Sequence, residues 1–178
     1  WRAKLFTEWT DTIVAPDPPL GEYNVEDCAV TKSSFVRELT LEQFKFCLKV
    51  KKIDPITVDQ NGNSILHLIS EHSVNAALID MLMTEIPTEK LDFIINQTNA
   101  KGDTPLDIAV KKTLEPSIVT RLLAWGATPN SDSRKSWWQI NFKSYPKSRP
   151  IHLAALRKDE LSFDLMVRLL AGGAKMLL

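Results

Sequence analysis

The side chains that most often carry out chemistry are few in this 178-residue chain, and their spacing fits none of the common catalytic motifs. Three histidines, His67, His72 and His152, are the candidate bases or metal ligands. His67 and His72 do not have the spacing of a zinc-binding His-Glu-x-x-His motif, whose histidines share one helix face. The sequence contains no Gly-x-Ser-x-Gly nucleophile elbow and no glycine-rich phosphate loop. We therefore predict a protein that is not an enzyme and that holds no cofactor or metal.

The two cysteines, Cys28 and Cys47, are too few for a disulfide framework or a thiolate zinc site. We expect both to be small buried apolar residues in a reducing compartment. A single bridge between them is the alternative. The first interpretation favours an intracellular protein, cytoplasmic or nuclear.

Composition limits the class of protein further. The 22 basic and 22 acidic residues balance, which argues against a surface built for nucleic acid or anionic lipid. Apolar residues make up 44% of the chain, enough for a buried core, but no apolar run approaches the roughly 20 residues that span a membrane. Because the first residue is not methionine, we expect the chain to be part of a longer protein.

The elements that position these side chains are indicated by an internal repeat. Residues 61–68, 101–109 and 149–155 read NGNSILHL, KGDTPLDIA and RPIHLAA, and share one skeleton. Residues 122–127 and 169–174 share a second pattern, LLAWGA and LLAGGA. Repeated turn and helix signals of this kind predict an array of similar units, none of which is stable alone.

The physical logic of one unit is clearest in the second stretch. Gly102 supplies the positive φ of a tight turn, and Thr104 is placed to cap a helix that Pro105 begins. Pro116 is placed to open a second helix with apolar residues at helical spacing. Gly126 stands where the end of that helix needs a left-handed residue. Each unit is therefore predicted to be a turn followed by two short helices.

The chain is predicted to consist of an arm, about four helical units and one long insertion before the last unit. The Pro-rich start breaks any helix and suggests an extended arm. The apolar residues at the end have no polar capping unit, so we expect further units beyond them. The predicted boundaries are 1–32 for the arm, 33–178 for the repeat domain, 33–58, 59–98, 99–130 and 149–178 for its units, and 131–148 for the insertion.

These residues resemble the Gly-x-Thr-Pro-Leu-His-x-Ala…Leu-Leu-x-x-Gly-Ala pattern of the ankyrin repeat. The resemblance implies an all-α ankyrin-repeat solenoid in which His67 and His152 bond backbone groups between units. Asp107 departs from the pattern, because the family usually has histidine there. The intervals of 40 residues from Ser64 to Thr104 and 45 from Pro105 to Pro150 also exceed the usual repeat length of about 33.

Within that family, residues 60–110 are most similar to the opening repeats of the IκB proteins and of the ankyrin halves of NF-κB precursors. The shared features are 63–68, the long interval that follows, 91–99 and 104–110, although Ile69 replaces the usual alanine. The resemblance implies a monomeric, non-enzymatic regulator that binds a Rel-type transcription factor or another signalling protein through its concave face. The alternative is an ankyrin scaffold within a larger multidomain protein or effector.

Acidic residues are concentrated between positions 59 and 99, where only Lys90 is basic. One interpretation is a solvated helical face. The other is an electronegative patch that includes Glu71 and Asp80 and masks the basic nuclear-localisation segment of a Rel-type factor. The acids of the segment are Asp59, Glu71, Asp80, Glu85, Glu89 and Asp92.

The insertion is basic and aromatic, with Trp137, Trp138 and Tyr145 among lysines and arginines. Trp, Tyr and Arg dominate protein interfaces, so these three side chains are candidates for partner binding. The alternative is that they fold the loop onto the neighbouring unit. Basic and aromatic residues together also suit single-stranded nucleic acid, but no RNA-binding motif accompanies them and we expect no such contact.

The remaining candidates follow from the geometry of stacked units. Loop tips and the exposed face of the first helices line the concave surface with which repeat arrays bind partners. The candidates are Asn61, Asn63, Lys101 and Asp103 at the tips, and Glu71, Lys111 and Lys112 on the helices.

Overall fold

Helices account for the regular structure of this protein wherever it can be described. The computed structural model describes residues 36, 39–49, 54–113, 115–130 and 150–175. Within those ranges the only β pairing is an isolated bridge between Val58 and Ser64, which confirms the all-α prediction for that part of the chain. The helices with bounds there are α1 (Leu41–Lys49), α2 (Ile65–His72), α3 (Ala77–Thr84), α4 (Thr88–Ile95), α5 (Pro105–Lys112), α6 (Ser117–Ala124), α7 (Pro150–Leu156) and α8 (Leu161–Ala171).

In the unit that contains α5 and α6, the helix starts and ends lie where the local sequence signals place them. Pro105 is in the first turn of α5, and the Thr104 hydroxyl accepts from Asp107 N at 3.2 Å. At the end of α6, Gly126 has φ +96° and Ala127 N donates to Leu122 O at 2.9 Å. These contacts satisfy backbone groups that a helix end leaves unpaired. The predicted turn, cap and helix-end roles are thereby confirmed for this unit.

The helices contact one another in two rows. The first helices of successive pairs pack together, α2 on α5 and α5 on α7. The second helices do the same, α3 on α6 and α6 on α8, while α1 packs on α3. Each pair also packs internally, as α2 with α3, α5 with α6, and α7 with α8. Most of these helices have seven or eight residues, so their stability must come from this packing rather than from helix propensity.

One apolar cluster runs from Val36 to Ala174 through every helix pair. Its largest fully buried members in the second row include Leu78, Ile118 and Leu122, each 0% exposed. In the described residues no helix combines the length and the apolar character that crossing a membrane would need.

Helix α4 is an element that the sequence analysis did not predict. It lies in the interval assigned to the second unit, 59–98, which therefore contains three helices. Ile94 and Ile95 are buried on it, and Pro87 precedes its first turn. An extra helix of eight residues accounts for the length of that unit. The signal was present as Leu91 and the two isoleucines at helical spacing.

Cys47 is buried in α1 and is disulfide-bonded. The expectation that Cys47 is a free buried thiol is therefore wrong. The only other cysteine of the chain, Cys28, lies outside the described residues. So do the predicted arm 1–32, the insertion 131–148 and the apolar end 176–178.

The packing predicts a large loss of stability when a side chain between the helix pairs is shortened. We expect Leu122→Ala to lower the free energy of unfolding by about 2–5 kcal/mol, because it leaves a cavity where α6 meets its neighbours. The control is Val74→Ala, at a position 63% exposed in the loop after α2, which should cost less than about 1 kcal/mol. Urea unfolding followed by circular dichroism measures both. Equal losses of stability from the two substitutions would show that Leu122 is not part of a core shared between helix pairs.

Candidate protein-binding surface

Two equivalent loops precede α2 and α5 and carry four of the predicted partner-binding residues. In the first loop one oxygen of Asp59 accepts from the backbone N–H groups of Asn61 and Asn63, both at 2.8 Å. In the second, Asn99 Oδ1 accepts from Lys101 N at 2.9 Å and Asp103 N at 3.0 Å. A side chain thus closes each turn from its first residue, as Asx turns do.

Burial alone would raise the pKa of the Asp59 carboxyl. Hydrogen bonds from the side chain and backbone of Asn63 and from the backbone of Asn61 outweigh it, and the pKa is below its usual value. The ionised form is therefore the one that the turn stabilises.

The two loops are bonded to each other. Asn99 Nδ2 donates to Asn63 Oδ1 at 2.8 Å, and Ala100 N donates to Asn61 O at 3.0 Å. Gly62 lies at the point of contact with φ +72°, and a Cβ there would stand 2.9 Å from Ala100 N. Only glycine fits both the backbone conformation and the space. The loop tips are therefore held at a defined spacing.

His67 ties α2 to the second loop. Its ring is fully buried, with Nδ1 3.1 Å from Ser64 N and 2.8 Å from the Ser64 hydroxyl. Because a backbone N–H can only donate, Nδ1 accepts and the Nε2–H is left to donate to Asp103 O at 3.1 Å. Burial is the main cause that lowers the pKa of His67, so the ring is neutral at pH 7. The predicted role of His67 as a bond between units is confirmed.

In α5, Asp107 makes the helix-capping contacts that His67 makes in α2. Its Oδ2 accepts from Thr104 N at 3.0 Å and from the Thr104 hydroxyl at 2.9 Å. A carboxylate in the first turn of a helix is also favoured by the helix dipole. With aspartate in place of the usual histidine, residues 104 and 107 therefore still cap the start of the helix reciprocally.

Charged side chains link neighbouring first helices near their C-terminal ends. Lys112 Nζ lies 2.5 Å from Glu71 Oε1, and His72 Nε2 lies 3.8 Å from the same oxygen. Lys111 Nζ lies 2.5 Å from Asp103 Oδ1 in the preceding loop. These residues therefore form one mixed-charge surface with the loop tips, at which the two lysines, Asn61 and Lys101 are exposed.

Asp80 belongs to the other row of helices. Trp125 Nε1 donates to Asp80 Oδ1 at 2.8 Å, and Arg121 Nε lies 3.4 Å from Asp80 Oδ2. Glu71 and Asp80 are therefore on different helix rows, each beside a basic or N–H donor of the next unit. Within the acidic segment 59–99, Glu71 and Asp80 therefore do not lie on one electronegative patch.

Arg157 is a structural residue that the sequence analysis missed. Its side chain is only 9% exposed, and Nη1 donates to Val110 O at 2.9 Å and Thr113 O at 3.1 Å. It also pairs with Asp159, and the hydrogen bond from Arg157 lowers the pKa of that carboxyl. Arg157 thus caps the C-terminal end of α5 from the last unit. No local pattern identifies it, because its partners lie more than forty residues away in the chain.

The aromatic candidates Trp137, Trp138 and Tyr145 lie outside the described residues, so their role in binding stays a prediction. Among the residues that are described, no group of three or more His, Cys, Asp or Glu side chains is placed to hold a metal ion. No family model matches the chain, and no curated protein matches it either.

The buried neutral histidine predicts a pH dependence of stability. Because the pKa of His67 is lower in the folded state, the unfolded chain binds the extra proton first as the pH falls below about 6.5. Stability is therefore complete above that pH and declines as the pH drops toward the folded pKa, by up to about 1.4 kcal/mol per pH unit for this one group.

The control is His67→Asp, which copies the cap that Asp107 makes in α5. We expect this variant to be less stable overall, since it loses the bond to Asp103, but to have a flatter stability profile between about pH 7 and pH 5. Urea midpoints at several pH values measure the slope. An unchanged slope in the variant would assign the dependence to another group.

Proposed function

We propose that this chain is an ankyrin-repeat array that binds a protein partner and has no catalytic activity. The more specific form of the proposal is an IκB-like regulator, inside the cell, that holds a Rel-type transcription factor or another signalling protein. The observation that supports the array is the equivalence of its units. The loop, cap and first helix beginning at Asp59 are repeated beginning at Asn99, with the same turn geometry and with direct bonds between the copies.

The loop-tip surface is the part of the molecule best suited to a partner. It consists of the exposed Asn61 and Lys101 at the tips, and of Lys111 and Lys112 on α5. The loops beneath them are fixed by the Asn63–Asn99 hydrogen bond and by Gly62. A surface that is ordered before binding loses little entropy on association, which favours affinity and specificity.

The charges of that surface define how a basic partner segment would bind. The carboxylates beside these lysines, Glu71 and Asp103, are already paired with Lys112 and Lys111. A basic segment would have to replace those lysines, so its binding would be sensitive to salt. Asp80 would not take part, because it lies against α6 in the other row.

The disulfide of Cys47 bears on where the protein functions. Disulfides are uncommon in the reducing cytosol and nucleus, the compartments that the IκB-like proposal requires. The intracellular form of the proposal requires that alkylation of freshly lysed cells, with and without prior reduction, finds Cys47 as a thiol. A bond that persists in the cell would favour an extracellular partner and would contradict the intracellular form of the proposal.

The binding surface is tested with two matched substitutions. Lys101→Glu changes an exposed residue at a loop tip, and Lys90→Glu makes the same change at an exposed position of α4. We expect the first to change partner binding at least about fivefold, or roughly 1 kcal/mol, and to tighten it for a basic partner segment, and the second to leave it unchanged. Isothermal titration with a partner protein captured from cell lysate measures the affinity of both variants. Equal effects would place the interface elsewhere.

The IκB-like form is tested with a purified Rel-type factor prepared in two versions. One has its basic nuclear-localisation segment intact, and in the other the basic residues of that segment are alanine. We expect only the intact version to bind, with an affinity that falls as salt rises. Equal binding of both versions would refute masking of a basic segment, whereas the Lys101→Glu result would still report on the surface itself.

A further inference from the structure

A shallow depression lies beside the C-terminal end of α4, the helix that the repeat pattern does not include. It is lined by Asp92, Phe93, Asn96, Gln97 and Thr98. Phe93 is its apolar member and is 60% exposed. Asp92 and Thr98 are also exposed, whereas Asn96 and Gln97 are half-buried. We call these five residues the α4 depression.

Asn96 fixes the carboxylate of Asp92 in the α4 depression. Asn96 Nδ2 donates to Asp92 Oδ1 at 3.0 Å and to the Asp92 carbonyl at 3.2 Å. Asn96 Oδ1 in turn accepts from Thr128 N at 2.9 Å, so the amide is held from the loop after α6. The other carboxylate oxygen, Oδ2, accepts no hydrogen bond from the described residues, and Asp92 has no ion pair with them. The depression therefore contains a negative charge that is oriented before any ligand binds.

Gln97 supplies a second acceptor that lacks a donor. Its Oε1 is buried and forms no hydrogen bond in the part of the chain that the structure describes. A buried carbonyl oxygen without a donor costs free energy, so a ligand that donates to it is favoured. The terminal torsion of a glutamine side chain is soft, so this oxygen can turn toward a donor in the depression.

We propose that the α4 depression binds an arginine side chain of a partner protein. A guanidinium group carries only donors, lies flat on an aromatic ring and presents a fork of N–H groups to a carboxylate. Stacked on Phe93, it would donate to Asp92 Oδ2 and Gln97 Oε1, the two oxygens that have no donor among the described residues. A carboxylate or phosphate ligand would be repelled by Asp92, and an ammonium group lacks the plane that stacks on the ring.

This inference goes beyond the proposed function, because the α4 depression shares no residue with the loop-tip surface. The two surfaces also differ in how they would receive a cation. The carboxylates beside the loop-tip lysines, Glu71 and Asp103, are already paired, so a basic segment must displace a lysine there. Asp92 has no such competitor among the described residues. Lys90, the control position of the loop-tip test, does not line the depression.

Binding of three capped peptides tests the arginine site. The probes are acetyl-Gly-Arg-Gly-amide and the same peptide with lysine or with citrulline, the uncharged analogue of arginine. We expect the arginine peptide to bind with a dissociation constant of about 1 mM, the lysine peptide at least about fivefold more weakly, and the citrulline peptide not to saturate. A heteronuclear NMR titration measures the affinities, and the amide signals that shift should be those of residues 92–98. Equal affinity for the arginine and citrulline peptides, or shifts confined to other residues, would overturn the proposal.

Three substitutions separate the contributions of charge and ring. Asp92→Asn removes the charge and Phe93→Leu removes the ring but keeps an apolar side chain, and we expect each to weaken binding of the arginine peptide about fivefold. The matched control is Glu42→Gln, which removes an exposed acid from α1 and should leave the affinity unchanged. Circular dichroism confirms that each variant is folded. Full affinity of Phe93→Leu would exclude stacking, and an equal loss in Glu42→Gln would assign the attraction to net charge; either result would contradict the arginine site.

Discussion

Lateral packing between successive helix pairs is the interaction on which the rest of this structure depends. Helices of about eight residues do not persist in water by themselves, because the hydrogen bonds of so short a helix barely offset the cost of its nucleation. Here they are stabilised by apolar side chains of one shared cluster, such as Leu122 and Ile118 on α6, which are completely removed from water. Helix α6 itself contacts the pair on either side. In the part of the chain that the structure describes, the helix pairs share one apolar cluster. Stability is therefore a property of the array, and the loss of one contact layer affects both neighbours.

Apolar packing of this kind is strong but not directional, so it does not by itself define how far one pair is displaced from the next. The polar contacts at the loop side supply that definition. The bonds from Asn99 to Asn63 and from His67 to Asp103 each join residues 36 positions apart in the chain, and each has a limited range of acceptable geometry. His67 is buried, so a shift of one pair would leave a polar ring without partners at a considerable cost. Hydrophobic contacts hold the pairs together, and these few hydrogen bonds determine their spacing.

The features that could be predicted from the sequence are those that depend on residues adjacent in the chain. The turn at Gly102, the cap at Thr104 and the helix end at Gly126 are properties of five or six consecutive residues, and the structure confirms them. Helix α4 was missed because the repeat pattern provides two helices for each unit, and α4 is a third helix in a unit longer than that pattern. The roles of Arg157 and Trp125 could not be found in that way. Their partners are determined by which units lie side by side, and no local spacing encodes it.

The same distinction explains why Glu71 and Asp80, two acids of one stretch of sequence, do not lie on one surface. The first and second helices of a unit lie in different rows, so the chain changes row each time it passes from the first helix to the second. Glu71 and Asp80 are nine residues apart in sequence, yet one faces Lys112 on α5 and the other faces Trp125 and Arg121 at α6. The partners that Glu71 and Asp80 have in the next unit are thus more than forty residues away in the chain. A surface of these packed helix pairs is assembled from residues of successive pairs, and the composition of a single segment is a poor guide to its charge.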